Sequence, residues 1–282
     1  MILEKRQITP IVQNALSEDV GYGDITTNSI VPKESTAKAV ILTKEPGVIA
    51  GLEVAKTAFE LIDPLLQMKT LVPEGEKLAS GQVVMEIEGS ARSILTAERV
   101  ALNFLQRMSG IATKTLQFVE MIRYYNAKIV DTRKTTPGLR ILEKYAVTVG
   151  GGRNHRFGLF DAVLIKDNHI AVAGGVREAI VAVRHKIPHT TRVEVEVEAL
   201  EQIDEALEVK ADIIMLDNMS TEQMHQAVEK IAGRAVVEAS GGITEETLVE
   251  IAKTGVDYIS VGALTHTIRS LDISLDIQLP VE

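Results

Sequence analysis

The sequence predicts an α/β protein whose second half is a (β/α) barrel. Short apolar segments alternate there with helical stretches, from AKIVDT at 127–132 to DYISVGA at 257–263. Repeated βα units at this spacing predict parallel strands covered by helices. Six such strands with no break in the alternation favour a barrel over an open doubly wound sheet. The first hundred residues follow a different pattern, which predicts a separate, smaller unit.

In the first half, apolar residues recur at helical spacing in some segments and at period two in others. The predicted elements are a helix at 7–19, a glycine-broken turn at 20–27, a strand at 37–43, a turn with a short strand at 45–51, a helix at 52–62, turns around strands at 72–90, and one long helix or two at 96–125.

In the second half, the predicted strands are 127–132, 162–168, 193–198, 212–218, 235–242 and 257–263, and the helices include 175–186, 199–209, 221–232 and 244–254. A seventh strand is compatible with the start of this half. Each predicted strand ends on polar residues or glycines. Because active sites of (β/α) barrels lie at the carboxyl ends of the strands, this pattern indicates a functional rim.

Composition excludes several classes of function. The chain carries a net charge of −9, has no cysteine and no tryptophan, and is 4% aromatic. Acidity and scarce aromatic residues argue against nucleic acid as a partner. The start, MILEKRQITP, has no apolar segment of the signal-peptide type, and no apolar run approaches the roughly 20 residues of a membrane helix. We therefore expect a cytoplasmic protein with no membrane partner.

A cation-rich segment stands out against this acidity. Residues 131–169 hold seven Lys or Arg residues and four acids, which makes the segment net positive. Arginine binds carboxylate or phosphate through two parallel hydrogen bonds, and lysine acts as a compact point charge. Several cations together predict a ligand with several anionic groups. The candidates are Arg133, Lys134, His155, Arg156 and Lys166, with His155 open as a neutral donor, a cation or a spectator.

Two glycine clusters and an acid pair complete the predicted rim. ASGGI (239–243) and SVGA (260–263) end the last two strands, where barrel phosphate sites commonly lie. Glu196 and Asp217 end adjacent strands and suit Mg²⁺ bridged to phosphates, sugar hydroxyls or a developing positive charge. VEVEVE also crowds at least two carboxylates into the barrel interior, where an ion-pair network with Lys134 and Lys166 is the structural alternative.

From the residues alone, we infer a barrel enzyme that uses a phosphorylated substrate, a metal ion and a carboxylate-rich second substrate. The other histidines have no second feature and are interpreted as structural or surface residues. They are His169, His185, His189, His225 and His266.

The same stretches resemble one family closely, the quinolinate phosphoribosyltransferases. The matching segments run in order along nearly the whole chain. They are EDVGYGDITT (18–27), ERVALNFLQRMSGIAT (98–113), DTRKTTPGLR (131–140), EKYAVTVGGGRNHRFGLFDAVLIKDNH (143–169), EVEVE (194–198), MLDN (215–218), VEASGGIT (237–244) and ISVGALTH (259–266).

The resemblance implies a reaction and an architecture. Quinolinate and phosphoribosyl pyrophosphate would give nicotinate mononucleotide, pyrophosphate and CO₂ with Mg²⁺, a step of NAD synthesis. An N-terminal α/β sandwich domain (1–112), joined by 271–282, would accompany an incomplete (β/α) barrel (113–270). The working unit would be a homodimer or a larger homo-oligomer built of dimers.

The resemblance also implies roles for individual residues. Quinolinate would be held by Arg99 from the neighbouring subunit and by Arg133, Lys134, His155, Arg156 and Lys166. Phosphoribosyl pyrophosphate would contact Glu196, Asp217, Ser240, Gly241, Gly242, Gly262 and Ala263. Catalysis would rest on Lys134, Lys166, Glu196 and Asp217, and the last two would serve Mg²⁺, directly or indirectly.

Four alternatives remain at this point. A related phosphoribosyltransferase acting on nicotinate needs fewer cations than this chain carries. A paralogue linked to molybdenum transport looks similar. The residue pattern of VPEGEKLASGQVVMEIEG (72–89) is similar to that of a lipoyl or biotinyl carrier domain, but the segment lacks a lysine at a hairpin tip. A metabolite sensor on an inactive barrel would bind without turnover.

Overall fold

The structure of the protein, a computed structural model, describes residues 2–278 of the 282-residue chain. The chain forms two compact units, and each is assembled from separate stretches of the sequence. Unit 1 comprises Met1–Leu116, Thr135–Gly151 and Thr267–Glu282, and unit 2 comprises Gln117–Lys134 and Gly152–His266. The domain boundaries predicted at 112 and 270 stay a prediction, because compact units of this kind need not coincide with domains.

Unit 1 combines helices with a four-stranded antiparallel sheet of strand order β12-β1-β5-β3, and β2 pairs separately with β4. Its elements are α1 (Lys5–Val20), α2 (Ile25–Ile30), β1 (Thr36–Thr43), β2 (Gly47–Val48), α3 (Leu52–Ile62), β3 (Gln67–Thr70), β4 (Lys77–Leu78), β5 (Val83–Ser90), the larger part of α4 (Ala91–Met121), α5 (Arg140–Val149) and β12 (Ile273–Gln278). The predicted helix at 52–62 is confirmed. The segment 96–125, predicted as one helix or two, contributes to a single helix that begins at Ala91 and ends at Met121.

The predicted turn at 20–27 is only half right. Positive φ angles at Gly21 and Gly23 do make a turn. The threonines after it, however, belong to α2, because Asp24 caps that helix by accepting a hydrogen bond from the backbone N–H of Thr27 at 2.9 Å. Aspartate at this position satisfies an amide that the first turn leaves without a partner.

Unit 2 contains a six-stranded parallel sheet of strand order β6-β11-β10-β9-β8-β7. Its elements are β6 (Lys128–Val130), β7 (Val163–Ile165), α6 (Asp167–Ala173), α7 (Val176–Arg184), β8 (Val193–Val197), α8 (Leu200–Glu208), β9 (Ile213–Asp217), α9 (Thr221–Ile231), β10 (Val236–Ser240), α10 (Glu245–Lys253), β11 (Tyr258–Ser260) and α11 (Ala263–His266). The first strand pairs with the last, so the sheet curls into an incomplete barrel that opens between β6 and β7. This confirms the predicted fold class.

A rudimentary strand lies beside the opening of the barrel. Val130 and Arg153 form an isolated parallel bridge, in which the Arg153 N–H donates to the Ile129 carbonyl and the Asp131 N–H donates to the Arg153 carbonyl. The seventh strand that the sequence allowed is thus reduced to one bridge at Arg153. It delivers the next residues, 154–156, to the carboxyl end of β6.

Helix α5 is not predicted by the sequence pattern, because two of its charged side chains are buried. Glu143 and Lys144 are 1% and 0% exposed, although the pattern would place both at the surface. Glu143 is instead bound by Arg107, whose Nη2 lies 2.6 Å from Glu143 Oε1. Buried ion pairs of this kind remove the polar face on which helix periodicity depends. No helix among the described residues is both long enough and apolar enough to span a bilayer.

Candidate active site

A cavity of about 770 Å³ opens in unit 2 at the carboxyl ends of the barrel strands. All the site residues predicted from the sequence line it except one. They are Arg133, Lys134, His155, Arg156, Lys166, Glu196, Asp217, Ser240, Gly241, Gly242, Gly262 and Ala263. Parallel strands place their carboxyl ends on one rim, so residues far apart in the chain meet there.

The exception is Arg99, which is exposed on α4 in unit 1. The sequence pattern alone would class it as a surface helix residue. That Arg99 binds substrate in the active site of a neighbouring subunit therefore stays a prediction.

Asp131 ties the segment after Arg153 to the end of β6. This aspartate is fully buried. Its Oδ1 accepts the backbone N–H of His155 at 2.9 Å, and its Oδ2 accepts the side-chain amide of Asn154 at 2.5 Å. The sequence pattern marks Asp131 as a polar strand end but gives no signal for Asn154. The pair fixes the loop that carries His155 and Arg156.

The cations predicted to bind an anionic ligand are close together. Burial, and then the neighbouring positive charge of Arg133, lower the pKa of Arg156 from its ordinary value. Lys134 is anchored by its backbone, because its carbonyl accepts a hydrogen bond from Thr265 Oγ1 at 2.7 Å. Like charges held together in this way are stabilised by an anion between them.

Part of the ion-pair network that the sequence left open as a structural alternative is present, with Lys166. Lys166 Nζ lies 2.8 Å from Glu196 Oε2. The side chain of Glu196 is 8% exposed and that of Lys166 is 46% exposed. A carboxylate this deeply buried needs a cation to remain ionised at low cost. Glu198, which alternation places on the same face, is instead exposed beyond the end of β8.

Close backbone packing builds the predicted phosphate loop. The Asn218 N–H donates to the Ser240 carbonyl at 3.0 Å, and Asn218 Nδ2 donates to Asp217 Oδ2 at 2.7 Å. Gly241 has φ +92°, and a Cβ there would lie 2.2 Å from Asn218 Oδ1. Glycine is therefore required at 241 both by conformation and by space. The result is an open stretch of backbone at the end of β10, suited to an anion.

A buried cluster beneath the cations includes one residue that sequence reasoning missed. His155 Nε2 lies 3.0 Å from Glu194 Oε2 and 3.5 Å from Glu238 Oε1. Glu194 and Glu238 are 3% and 4% exposed. Burial, and then the charge of Glu194, raise the pKa of Glu238 to about 7. Glu238 gives no sequence signal because it lies inside the strand AVVEAS rather than at its end. His266, interpreted as structural or surface, also lines the cavity.

Glu238 gives a pH-dependent stability. Its folded-state pKa is raised above that of an unfolded glutamate. Its stabilising contribution is therefore complete below about pH 4.5 and is lost as the pH rises through about 7. We expect Glu238→Gln to raise the unfolding free energy at pH 8 by at most about 3 kcal/mol, and with it the melting temperature, and to lose this advantage at pH 5. Calorimetry of both proteins across this range checks it. An equal difference at both pH values would contradict it.

A barrel rim with clustered cations, an acid pair and an open glycine loop defines an enzyme for phosphorylated and carboxylated substrates. Comparison with known proteins agrees with this class. Two family models match, the N-terminal domain of quinolinate phosphoribosyl transferase at residues 24–109 and its C-terminal domain at residues 111–276. The chain belongs to the quinolinate phosphoribosyl transferase family.

Individual relatives are similar over nearly their whole length. A probable nicotinate-nucleotide pyrophosphorylase (carboxylating) of Bacillus subtilis is 45% identical over 98% of this chain and 95% of its own. A nicotinate-nucleotide pyrophosphorylase (carboxylating) of Mycobacterium leprae is 47% identical over 94% and 95%. The solved nicotinate-nucleotide pyrophosphorylase of Francisella tularensis superposes with a TM-score of 0.94 at 42% identity, over 98% of each chain.

Proposed function

We propose that the protein transfers a phosphoribosyl group from phosphoribosyl pyrophosphate to quinolinate with loss of CO₂, a step in NAD synthesis. The products are nicotinate mononucleotide and pyrophosphate. One observation carries the proposal: a single cavity holds four cations, an acid pair and a glycine loop. Two substrates that together carry two carboxylates, a phosphate and a pyrophosphate need such a set of charges. The names of the relatives agree with this reaction.

The cations have separate tasks in this proposal. Arg133 and Arg156 bind the quinolinate carboxylates, with Arg99 of a neighbouring subunit, and the mutual repulsion of Arg133 and Arg156 is relieved when the dianion enters. Lys134 and Lys166 line the same cavity and face the phosphates. His155 lines the same cavity and binds the carboxylates together with the two arginines in this proposal.

Charge development explains the chemistry. The quinolinate ring nitrogen attacks C1′ of the ribose, and pyrophosphate leaves with the bonding electrons. The ring nitrogen is now a pyridinium, so the C2 carboxylate departs as CO₂ and its electron pair remains at C2, stabilised by the adjacent positive nitrogen. A proton then adds at C2. The protein supplies positioning and electrostatic stabilisation rather than a decarboxylation base.

The acid pair fits a role with Mg²⁺ and the ribose. Carboxylate oxygens are the ligands that Mg²⁺ prefers, commonly one or two of them with substrate phosphates. Glu196 Oε2 is engaged by Lys166, whereas Asp217 lines the cavity beside the glycine loop. We therefore assign Asp217 to the metal and Glu196 to the ribose hydroxyls and the developing oxocarbenium charge, with any contact of Glu196 to the metal indirect. When bound, Mg²⁺ neutralises the pyrophosphate leaving group.

The glycine loop receives the 5′-phosphate. Ser240 ends β10 and is followed by Gly241 and Gly242, and Gly262 and Ala263 follow β11. Backbone amides in such loops donate to phosphate oxygens without the bulk of side chains. We further propose a homodimer, or a larger assembly of dimers, in which Arg99 completes the neighbouring site, and a cytoplasmic location.

Substrate choice tests the proposal. Purified protein is given phosphoribosyl pyrophosphate and Mg²⁺ with either quinolinate or nicotinate, and nicotinate mononucleotide is measured. We expect product from quinolinate only, and its loss when Mg²⁺ is chelated. Product from nicotinate alone would assign the protein to the non-decarboxylating reaction. Binding of quinolinate without turnover would instead indicate a metabolite sensor.

A further inference from the structure

A short loop follows Arg156 directly and is folded by a single carboxylate. Asp161 Oδ2 accepts the backbone N–H of Phe157 at 2.7 Å, and Asp161 Oδ1 accepts the backbone N–H of Gly158 at 2.8 Å. Both oxygens of one side chain are thus engaged by consecutive amides of the same loop. Aspartate commonly stabilises turns in this way, because its short side chain reaches nearby backbone N–H groups.

Gly158 gives this loop a compact shape. The residue is buried, so its N–H needs a hydrogen-bond acceptor within the protein, and Asp161 supplies that acceptor. A Cβ at position 158 would lie 2.5 Å from Cε1 of the Phe160 ring, so a larger residue would displace the ring. The segment from Phe157 to Asp161 is therefore a tightly folded turn.

The guanidinium of Arg156 is linked to the far end of the same loop. Its Nη1 donates to the carbonyl of Ala162, the residue after Asp161, at 3.4 Å. Asp161 also attracts the guanidinium through its charge, as Glu194 does from β8, and both charges oppose the repulsion from Arg133. The loop and the side chain that precedes it consequently share one anchor.

We propose that Asp161 is a positioning residue for quinolinate binding, which folds the loop after Arg156 so that the guanidinium is held in place at the cavity. The inference rests on the proposed function, which assigns Arg156 to a quinolinate carboxylate. Asp161 is exposed and is not among the described residues that line the cavity. Its loss should therefore act through Arg156 and affect quinolinate rather than phosphoribosyl pyrophosphate.

Preorganisation is the physical reason for this effect. A guanidinium that is already oriented binds an anion with a smaller loss of conformational entropy than one on a mobile loop. Asp161→Ala leaves the N–H groups of Phe157 and Gly158 without their acceptor, so the loop should loosen. Asp161→Asn keeps one acceptor oxygen and should retain part of the turn.

Amide hydrogen exchange tests the loop without turnover. In the full-length protein, we expect the amides of Phe157 and Gly158 to exchange at least about tenfold faster in Asp161→Ala than in the unaltered protein. Asp161→Asn should give an intermediate rate. Unchanged exchange at both amides in Asp161→Ala would overturn the proposal.

Steady-state kinetics test the effect on the two substrates. We expect Asp161→Ala to raise the KM for quinolinate about tenfold, while the KM for phosphoribosyl pyrophosphate changes less than about twofold. Asp161→Asn should raise the quinolinate KM by a smaller factor. An unchanged quinolinate KM in folded Asp161→Ala, or an equal rise for both substrates, would overturn the proposal.

Two further variants test whether Asp161 acts through Arg156. Asp63→Ala is the matched control, because Asp63 also accepts two hydrogen bonds, from the Leu65 N–H and from Ser93 Oγ, each at 2.9 Å, but lies in unit 1. It should leave both KM values unchanged. In an Arg156→Lys background, Asp161→Ala should raise the quinolinate KM less than about threefold, because coupled residues have non-additive effects. A full tenfold rise in that background would overturn the proposal.

Failure of the proposed function would be recognised separately. Absence of turnover with quinolinate in the unaltered protein would refute the proposed function and, with it, the role of Asp161 in quinolinate binding. Turnover in the unaltered protein together with an unchanged quinolinate KM in Asp161→Ala would refute only the positioning role.

Discussion

Arg133→Ala is expected to lower kcat/KM for quinolinate by well over tenfold, which is more than about 1.4 kcal/mol of transition-state stabilisation. Arg133 follows β6 and lies close enough to Arg156 for its charge to lower the pKa of that arginine. In the proposed function, its removal takes away one of the two arginines of unit 2 that bind the two carboxylates. Arg156 would then be the one arginine of unit 2 left to bind the dianion.

Steady-state kinetics with both substrates measure this effect. Arg133→Lys retains the charge but loses the two parallel hydrogen bonds, and should recover activity only in part. Arg153→Ala is the matched control, because its side chain is exposed and its Nη1 donates to the Tyr258 hydroxyl at 3.3 Å. Near-normal activity of Arg133→Ala, and of Lys134→Ala beside it, would refute the clamp.

Lys166→Met is expected to damage both activity and stability. It removes a cation from the cavity and leaves Glu196 buried without the ammonium now 2.8 Å away. We expect kcat/KM to fall by more than about a hundredfold, because a misplaced Glu196 would also no longer stabilise the positive charge of the oxocarbenium-like transition state. Because Lys166 is half exposed, the loss of stability should be about 1–3 kcal/mol, below that of a fully buried pair.

A double variant separates these two effects. Lys166→Met with Glu196→Gln removes the buried charge together with its partner, so the melting temperature should return toward that of the unaltered protein. Activity should remain as low as in the single variant. If the double variant recovered activity, Glu196 and Lys166 would form a structural pair only.

The rim of the site is predictable from the sequence for a geometric reason. Residues at the ends of parallel strands meet at one edge whatever their separation in the chain. The strand pattern alone therefore brings together Lys166, Glu196, Asp217 and the glycines after β10. Residues inside a strand or on a loop give no such signal: Glu238 lies between apolar neighbours, and Asn154 has no periodic position.

Other differences arise where tertiary contacts override local pattern. Helix α5 is hidden because Glu143 and Lys144 are buried charges. Helix α2 is hidden because its cap, Asp24, follows a glycine turn that has the composition of a loop. Composition and spacing carry no information about Arg99, for which only the family resemblance suggests a role.

The most direct measurement of the central claim is the fate of the C2 carboxylate. Purified protein is supplied with Mg²⁺, phosphoribosyl pyrophosphate and quinolinate carrying ¹⁴C in that carboxyl group, and labelled CO₂ and nicotinate mononucleotide are measured together. The proposed function predicts equal amounts of the two products at every time point, and no labelled CO₂ when phosphoribosyl pyrophosphate is omitted. Nucleotide that retains the label, or no nucleotide at all, would contradict it.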